Sequence, residues 1–191
     1  MKTSLGAKPI VYPTPVWVVG AYDPQGKPNI MTAAWACMCA SEPPCLAVCL
    51  RKVRHTYAGL MAHGAFTVSV PSRSQAKEAD YAGMVSGKKR DKFADTGLTP
   101  ARAEFVDAPY VREFPLALEC KLINSLEVGS HTIFVGEILD VKADSSVLGP
   151  DGLPDMAKVD PLIFAPLTQQ YYALGERVGK AYEIGKVFMG K

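Results

Sequence analysis

Two strand-like segments that follow each other without a helix between them constrain the fold of this chain most. Residues 116–142 carry apolar and β-branched residues on both sides of a polar turn near Glu127 to Ser130. This pattern is typical of two antiparallel strands joined as a hairpin. A doubly wound nucleotide-binding fold requires strands that alternate with helices, so the segment argues against that fold. Neither G-x-G-x-x-G nor G-x-x-x-x-G-K-S/T occurs in the sequence.

Further apolar runs predict strands in the first 70 residues. "VWVVGAY" predicts a buried strand, "DPQGKPN" a turn, and "IMTAAWACMCA" a second strand, so residues 16–40 are expected to form a hairpin with a wide loop. "CLAVCL" at 45–50 predicts a third strand, and "AFTVSV" at 65–70 alternates between apolar and polar residues. Many strands with few helices indicate a mainly β domain, and we expect a closed barrel.

Two short helices are predicted between these strands. Tyr57, Leu60 and Met61 recur at helical spacing over 56–63, and Gly64 suits a left-handed helix end. "SQAKEADYAGMVSG" begins with a Ser cap and predicts a second helix. We find no repeat and no linker-like segment, so we expect a single domain over residues 1–191.

Composition excludes several classes of protein. The chain is 48% apolar and 21% charged, as ordinary globular proteins are. Its net charge of +2 is too small to favour nucleic acid or an anionic membrane as a partner. No apolar run reaches the roughly 18–20 residues of a membrane span, and prolines at 9, 13 and 15 interrupt any signal-peptide core. The five cysteines are an odd number, which favours a reducing compartment. We expect a soluble cytoplasmic protein.

A cluster of basic residues lies at the predicted start of the first helix, directly after a strand. Arg51, Lys52, Arg54 and His55 precede or open the helix, and the next residue is Thr56. A helix N-terminus presents unpaired N–H groups and partial positive charge, which suits a phosphate. Arginine offers a planar fork that matches phosphate oxygens. The alternative is a solvated turn with ordinary surface cations, and composition does not choose between the two.

Polar groups along the second strand are candidates for binding a heterocycle. Asn29 offers both a donor and an acceptor, Thr32 a hydroxyl, and Trp35 a flat aromatic face. The alternative is that Trp35 belongs to the core and Asn29 ends a turn. The basic segment "KKRDKF" at 88–93 is either a solvated face or a clamp over an anionic ligand.

The cysteines and His131 carry weaker signals. Cys37, Cys39, Cys45 and Cys49 are close in sequence, but they form no C-x-x-C pair, so we expect buried thiols and no metal. His131 opens a strand after a Gly turn. It is either structural or a group that faces a ligand and exchanges protons.

Four segments resemble the successive signatures of the flavin reductase-like proteins with an FMN-binding split barrel: "GKPNIMTAAW", "VRHTYAGLMAHGAFTVSVP", "KRDKF" and "VGSHTIFVGEILDV". The resemblance runs from about residue 10 to about residue 175, in the order of the family. It implies a six-stranded antiparallel split β-barrel with short flanking α-helices, and a homodimer that binds FMN non-covalently near the dimer interface.

The same resemblance implies a set of cofactor-binding residues. The strand that lines the flavin corresponds to Asn29, Met31, Thr32 and Trp35, and the strand end beside the ring to Leu50 and Arg51. The phosphate-binding turn corresponds to Arg54, His55 and Thr56, and the lysine of the family's D-K-F segment to Lys92. His131 corresponds to a histidine near the flavin edge, in its own or the partner subunit.

Two functions are compatible with this resemblance. In the leading one, FMN stays bound and exchanges electrons with a redox partner protein. In the alternative, the protein is an NAD(P)H-dependent reductase of free flavin or another small acceptor. Arg51 is the residue we expect to stabilise the reduced flavin. Two further functions remain open: a protein that senses or stores flavin, and a related barrel that binds heme or pyridoxamine phosphate. The segments "RHT" and "NIMTAAW" favour FMN as the ligand.

Overall fold

The structure, a computed structural model that describes residues 1–189, is mainly β, as predicted. The strands are β1 (Thr14–Pro15), β2 (Trp17–Tyr22), β3 (Pro28–Ala33), β4 (Ala36–Ser41), β5 (Pro44–Leu50), β6 (Ala65–Val70), β7 (Pro100–Arg102), β8 (Pro109–Val111), β9 (Leu116–Val128), β10 (His131–Ala143), β11 (Ile163–Ala165) and β12 (Gln170–Tyr172). The α-helices are α1 (His55–His63), α2 (Ala76–Met84), α3 (Lys92–Thr96) and α4 (Met156–Val159). Short 3-10 turns cover Arg73–Gln75, Ser145–Val147 and Ile184–Phe188.

Seven strands form one antiparallel sheet in the order β3-β2-β6-β9-β10-β5-β4, one strand more than the six expected. The two edge strands, β3 and β4, are consecutive in the chain, and only Ala34 and Trp35 separate them. The sheet must therefore curl until its two edges approach each other, which makes it a barrel that is split at this junction.

The predicted hairpin over residues 16–40 is only half correct. β2 and β3 do pair, from Trp17 opposite Ala33 to Tyr22 opposite Pro28. The strand then ends, and β4 pairs with β5 on the far side of the sheet. The apolar run from Ile30 to Ala40 has no break in its composition, so the bend follows from closure of the barrel and not from local sequence.

The hairpin predicted over 116–142 is confirmed by β9 and β10. Its turn contains Gly129, whose φ of 54° is a left-handed conformation that glycine adopts without strain. The pairing shifts between Val135 and Gly136 and again between Ile138 and Asp140. Such bulges bend and twist a strand, so they help these two 13-residue strands to follow the wall of the barrel.

Two hydrophobic clusters lie on opposite faces of β2. Val19, Leu46, Phe66 and Phe134 belong to the first cluster, on the inner face of the barrel sheet. Val18, together with Ile30 and residues of α2, α3 and β8, belongs to the second cluster, outside the barrel. β2 is thus buried on both faces, as its continuous apolar run predicted.

The helices begin close to the predicted positions. α1 starts at His55, one residue before the predicted start, and ends at Gly64, whose φ is 60° and whose N–H donates to the Leu60 carbonyl. α2 follows a 3-10 turn capped by Ser72 rather than by Ser74. α3 begins at Lys92, within the basic segment at 88–93, for which no helix was predicted.

His63, the last residue of α1, connects two loops. Its Nε2 lies 2.9 Å from the carbonyl oxygen of Asp23, and its Nδ1 lies 2.8 Å from Asp107 Oδ2. Both contacts are strongest when the ring carries two N–H groups, so the Asp23 carbonyl, and after it the Asp107 carboxylate, raise the pKa of His63.

A three-stranded sheet in the order β1-β11-β12 packs beside the barrel and brings the C-terminal part of the chain against α2. Among residues 1–189, no helix is both long enough and apolar enough to cross a membrane.

Candidate functional site

A cleft of about 640 Å³ lies where the two edges of the barrel meet. One wall consists of the end of β3, the junction to β4 and the end of β5, and the opposite wall consists of α2 and the C-terminal sheet. The cleft collects seven of the predicted residues: Met31, Thr32, Trp35, Leu50, Arg51, Arg54 and His131.

Trp35 lies at the rim of this cleft and not in the core. Its side chain is 43% exposed, and its backbone carbonyl accepts a hydrogen bond of 2.8 Å from the amide of Cys49. Thr32 donates its hydroxyl to the Ala79 carbonyl of α2, which joins the two walls. A large aromatic side chain left exposed at a cleft offers a stacking face for a flat ligand.

The N-terminus of α1 forms a positively charged corner of the cleft. Arg54 precedes the helix without capping it by a side-chain hydrogen bond. The Tyr57 amide donates to the Arg54 carbonyl over 3.1 Å, whereas the amides of His55 and Thr56 come before this first bond of the helix and stay open. Within residues 1–189, neither Arg51 nor Arg54 has a carboxylate within ion-pair distance. Two unneutralised guanidinium groups beside an open helix N-terminus fit a phosphate monoester.

Four predicted residues, Asn29, His55, Thr56 and Lys92, do not line the cleft but lie around its charged corner. Asn29 Nδ2 donates to Thr56 Oγ1 over 2.7 Å, and both side chains are buried. Because the Thr56 oxygen accepts this bond, its hydroxyl proton is free to be donated to another group.

His55 lies beside Asp23, with 3.5 Å between Nε2 and Oδ2. Burial of Asp23 opposes ionisation, but amide hydrogen bonds from Lys27 and Gln25 and the nearby imidazole outweigh it and lower the pKa of that carboxyl. A carboxylate held in its charged form orients His55 at the first position of α1.

Lys92 is a buried cation, only 4% exposed. Its Nζ donates to the carbonyls of Ile30 and Ala82, each at 2.7 Å. Burial, and after it repulsion by Arg54, lower the pKa of Lys92 to about 8. The ammonium has no carboxylate partner within residues 1–189, so it adds positive potential to the same corner, and an anion bound there would stabilise it.

His131 lies at the mouth of the cleft. Thr132 pairs with Leu50 in the sheet, so His131 and Arg51 lie next to each other at the ends of their strands. The Ser130 hydroxyl is 2.9 Å from His131 Nδ1. Both Arg51 and His131 also line a second, smaller pocket of about 260 Å³, where Lys52 forms an ion pair of 2.6 Å with Glu127.

Sequence reasoning missed the wall opposite Trp35. Asp80 of α2 and Phe164, Gln169 and Tyr171 of the C-terminal sheet all line the cleft. The Tyr171 hydroxyl donates to Asp80 Oδ1 over 2.8 Å. α2 was predicted as a helix, but its sequence does not show which face meets a ligand, and the short strands after residue 160 have no clear periodicity.

The remaining candidates are the other basic residues of "KKRDKF" and the cysteines. Arg90 of "KKRDKF" forms two hydrogen bonds of 2.8 Å with Asp95, so its charge is already paired. All five cysteines are free thiols, and only Cys49 lines the cleft. The expectation of buried thiols is wrong for Cys37 and Cys39, which are exposed on the edge strand β4. Within residues 1–189, no group of three or more His, Cys, Asp or Glu side chains is placed to hold a metal ion.

Comparison with known proteins gives consistent matches. The model of the flavin reductase like domain matches residues 10–173. The structure is similar to flavoredoxin of Desulfovibrio vulgaris (Miyazaki F), with 57% identity, a TM-score of 0.93, and 97% of this chain and 100% of that chain covered. It is also similar to flavoredoxin from Methanosarcina acetivorans, with 33% identity, a TM-score of 0.90, and coverage of 99% and 98%. A flavin reductase (NADH) of Kitasatospora aureofaciens is 31% identical over 129 residues, which are 66% of this chain and 64% of that protein.

Proposed function

Because the chain belongs to the flavin reductase-like family, we propose that its cleft binds FMN and that the protein is a flavin-containing electron carrier. The observation that carries the proposal is the charged corner: Arg54, the open N-terminus of α1 and the buried Lys92 converge without a carboxylate partner in the described residues. Such a corner favours a bound dianion, and the adjoining cleft has an exposed aromatic face at its rim.

The residues of the cleft divide the binding of FMN between them. Arg54, Thr56 and the first amides of α1 would hold the phosphate, and Trp35 and Thr32 would border the ring. FMN, when bound, supplies reversible transfer of one or two electrons. Arg51 places positive charge beside the cleft, and this charge stabilises the anionic, reduced form of the ring relative to the oxidised form. His131, at the mouth, is placed to hold a proton near the flavin.

Support for the carrier over a reductase comes from the extent of the likeness. The flavoredoxin of D. vulgaris matches this chain at 57% identity over nearly its whole length. The flavin reductase (NADH) matches at 31% over two thirds of the chain. We propose NAD(P)H-dependent flavin reduction as the alternative because the second pocket adjoins the cleft and carries Arg51, which has no carboxylate partner among the described residues. A cation in that position suits an anionic pyridine nucleotide.

We also propose that the protein acts as a homodimer. On the outer face of the barrel, Leu126, Ile133 and Cys49 form a row across three strands, and Trp35 continues it. Leu126 is 61% exposed and Trp35 is 43% exposed. An apolar row of this kind on a solvent-facing sheet suits a protein contact. Because Trp35 and Cys49 also line the cleft, a second copy on this face would complete the wall of the flavin site.

An anaerobic absorption spectrum, recorded before and after addition of NADH and then NADPH, tests the proposal. A bound flavin that ignores both nucleotides but accepts electrons from dithionite is the result expected of the carrier. Bleaching of the flavin within seconds by either nucleotide would replace the carrier with the reductase. A colourless protein that does not take up added FMN would refute both functions.

A further inference from the structure

The C-terminal sheet closes one side of the cleft, and one side-chain hydrogen bond joins its last strand to the helix α2. Tyr171 in β12 donates its hydroxyl to Asp80 in α2 over 2.8 Å, although the two residues are 91 positions apart in sequence. Both residues line the cleft. Within residues 1–189, Tyr171 is the only partner of the Asp80 carboxylate. The bond therefore spans the two elements that form this wall.

The turn between β11 and β12 is held in an unfavourable conformation. Leu167 has a φ of 69° and Gln169 a φ of 53°, in the left-handed region that side chains with a Cβ avoid. Gln169 itself lines the cleft. Strained residues persist only where surrounding contacts hold them, and they concentrate at ligand-binding sites. Three residue pairs join β11 to β12, so the strand pair is short and depends on contacts with the rest of the chain.

Aromatic packing places the tyrosine ring independently of its hydroxyl. The rings of Phe164 and Tyr171 lie 5.4 Å apart at an angle of 44°, and both pack against the second hydrophobic cluster. Burial, and after it the bond to Asp80, raise the pKa of Tyr171, so the hydroxyl keeps its proton and remains a donor at any physiological pH. A substitution that removes only the hydroxyl should therefore break the hydrogen bond and leave the packing of the ring in place.

We propose that Asp80 and Tyr171 form a latch that holds β11 and β12 across the cleft and sets how slowly the flavin leaves. The inference rests on the proposed binding of FMN. Both are positioning residues, since they act by holding the wall of the site. A slow release keeps the flavin bound between electron transfers, as a carrier requires, whereas a fast release suits a reductase that exchanges flavin.

Four variants of the full-length protein test the latch. Tyr171→Phe removes the hydroxyl and keeps the ring, and Asp80→Ala removes the acceptor. Asp80→Asn keeps a neutral acceptor and should give an intermediate result. Tyr172→Phe is the matched control, because the hydroxyl of Tyr172 donates to the neighbouring Gln170 side chain and the residue does not line the cleft.

Two measurements separate the latch from flavin binding. Hydrogen–deuterium exchange of residues 163–172, with and without FMN, reports whether the wall opens. The rate of FMN release reports retention, and we expect Tyr171→Phe and Asp80→Ala each to increase it about tenfold, as loss of one hydrogen bond to a charged group implies. The double variant should release FMN no faster than either single variant, because both remove the same bond.

Each outcome has a distinct meaning. Faster exchange at 163–172 together with faster FMN release, in the two variants but not in Tyr172→Phe, supports the latch. Unchanged exchange shows that the bond does not hold the wall, and unchanged release despite faster exchange shows that the wall does not retain flavin; either result overturns the proposal. If the unmodified protein does not bind FMN at all, the proposed function fails and the retention role fails with it, while the exchange data still report the wall.

Discussion

Replacement of Gly87 by alanine should weaken FMN binding, because the added methyl group would displace Asn29 and His55, which support the charged corner. A Cβ at Gly87 would lie 2.1 Å from Asn29 Oδ1 and 2.6 Å from His55 Cδ2, where ordinary contacts begin at about 3.4 Å. The Asn29 oxygen would have to move by roughly 1.3 Å, the difference between those two values. Asn29 cannot move so far without losing its buried hydrogen bond to Thr56.

The expected size of the effect follows from that hydrogen bond. A buried hydrogen bond left unmade costs about 1–3 kcal/mol. If the relaxed protein must rebuild the bond to bind FMN, its dissociation constant rises roughly 5- to 150-fold. The backbone of Gly87 is not in the left-handed region, so alanine itself is tolerated there and would stabilise the fold by about 0.4–1 kcal/mol if it met no clash.

Titration calorimetry with FMN, together with thermal unfolding of the flavin-free protein, separates binding from stability. Gly175→Ala is the matched control, because a Cβ at Gly175 meets nothing within 4 Å. A Gly87→Ala protein that binds FMN within twofold of the unmodified protein would refute the reasoning. Asn29 and His55 would then not support the flavin site.

Three other perturbations test separate parts of the molecule. The double change Arg54→Ala and His55→Ala should raise the FMN dissociation constant at least hundredfold in fluorescence titration, since it removes the guanidinium that binds the phosphate and the imidazole that joins the start of α1 to Asp23. Full flavin content would show that the phosphate binds elsewhere. The raised pKa of His63 means that its contribution to folding is fully present below about pH 6.5 and is lost as pH rises through the raised value. The stability advantage over His63→Gln in urea unfolding should thus shrink by about 0.5–1 kcal/mol between pH 5.5 and pH 9, and a constant difference would contradict this assignment. Leu126→Lys should dissociate the proposed dimer in sedimentation, whereas Leu153→Lys, at a similarly exposed leucine, should not. If both variants remain dimers, the interface lies on another face.

Sequence patterns predicted the parts of the fold that local interactions determine. The end of α1 at Gly64 and the β9–β10 hairpin follow from nearby residues alone, and both were predicted correctly. The end of β3 at Ala33 was missed, because the apolar run continues unbroken through Trp35. That bend exists because two edges of one sheet must meet, and residues far away in the sequence decide where they do.

The candidate site divides in the same way. The four basic residues at the start of α1 lie within positions 51–55, so their convergence on a helix N-terminus could be predicted. The exposed position of Trp35 could not, since a tryptophan in an apolar run is equally typical of a core. Asp80 and Tyr171 are neighbours only in the folded chain. No spacing rule connects positions 91 residues apart, so the opposite wall of the cleft became visible only in three dimensions.

Closure of the barrel determines both where the cleft lies and why it is positively charged. At the junction, the Trp35 carbonyl accepts a hydrogen bond from the Cys49 amide. β5 ends one residue after Cys49, at Leu50, and Arg51 follows. α1 then begins at His55, so its N-terminus must lie near the same junction. The positively charged corner of the cleft is therefore a consequence of the barrel itself.

The wall that carries Tyr171 is a different case, because it belongs to a separate sheet that packs beside the barrel. Its sequence can change without altering the barrel or the charged corner. If flavin retention distinguishes a carrier from a reductase, substitutions in β11 and β12 should change the rate of flavin release more than the affinity for the phosphate. Substitution of Arg54 should do the reverse, because the arginine contributes charge and not closure. The release rate and the dissociation constant of each variant can be measured with FMN and with riboflavin, which lacks the phosphate. Substitutions in β11 and β12 should affect both ligands, whereas substitution of Arg54 should affect FMN alone.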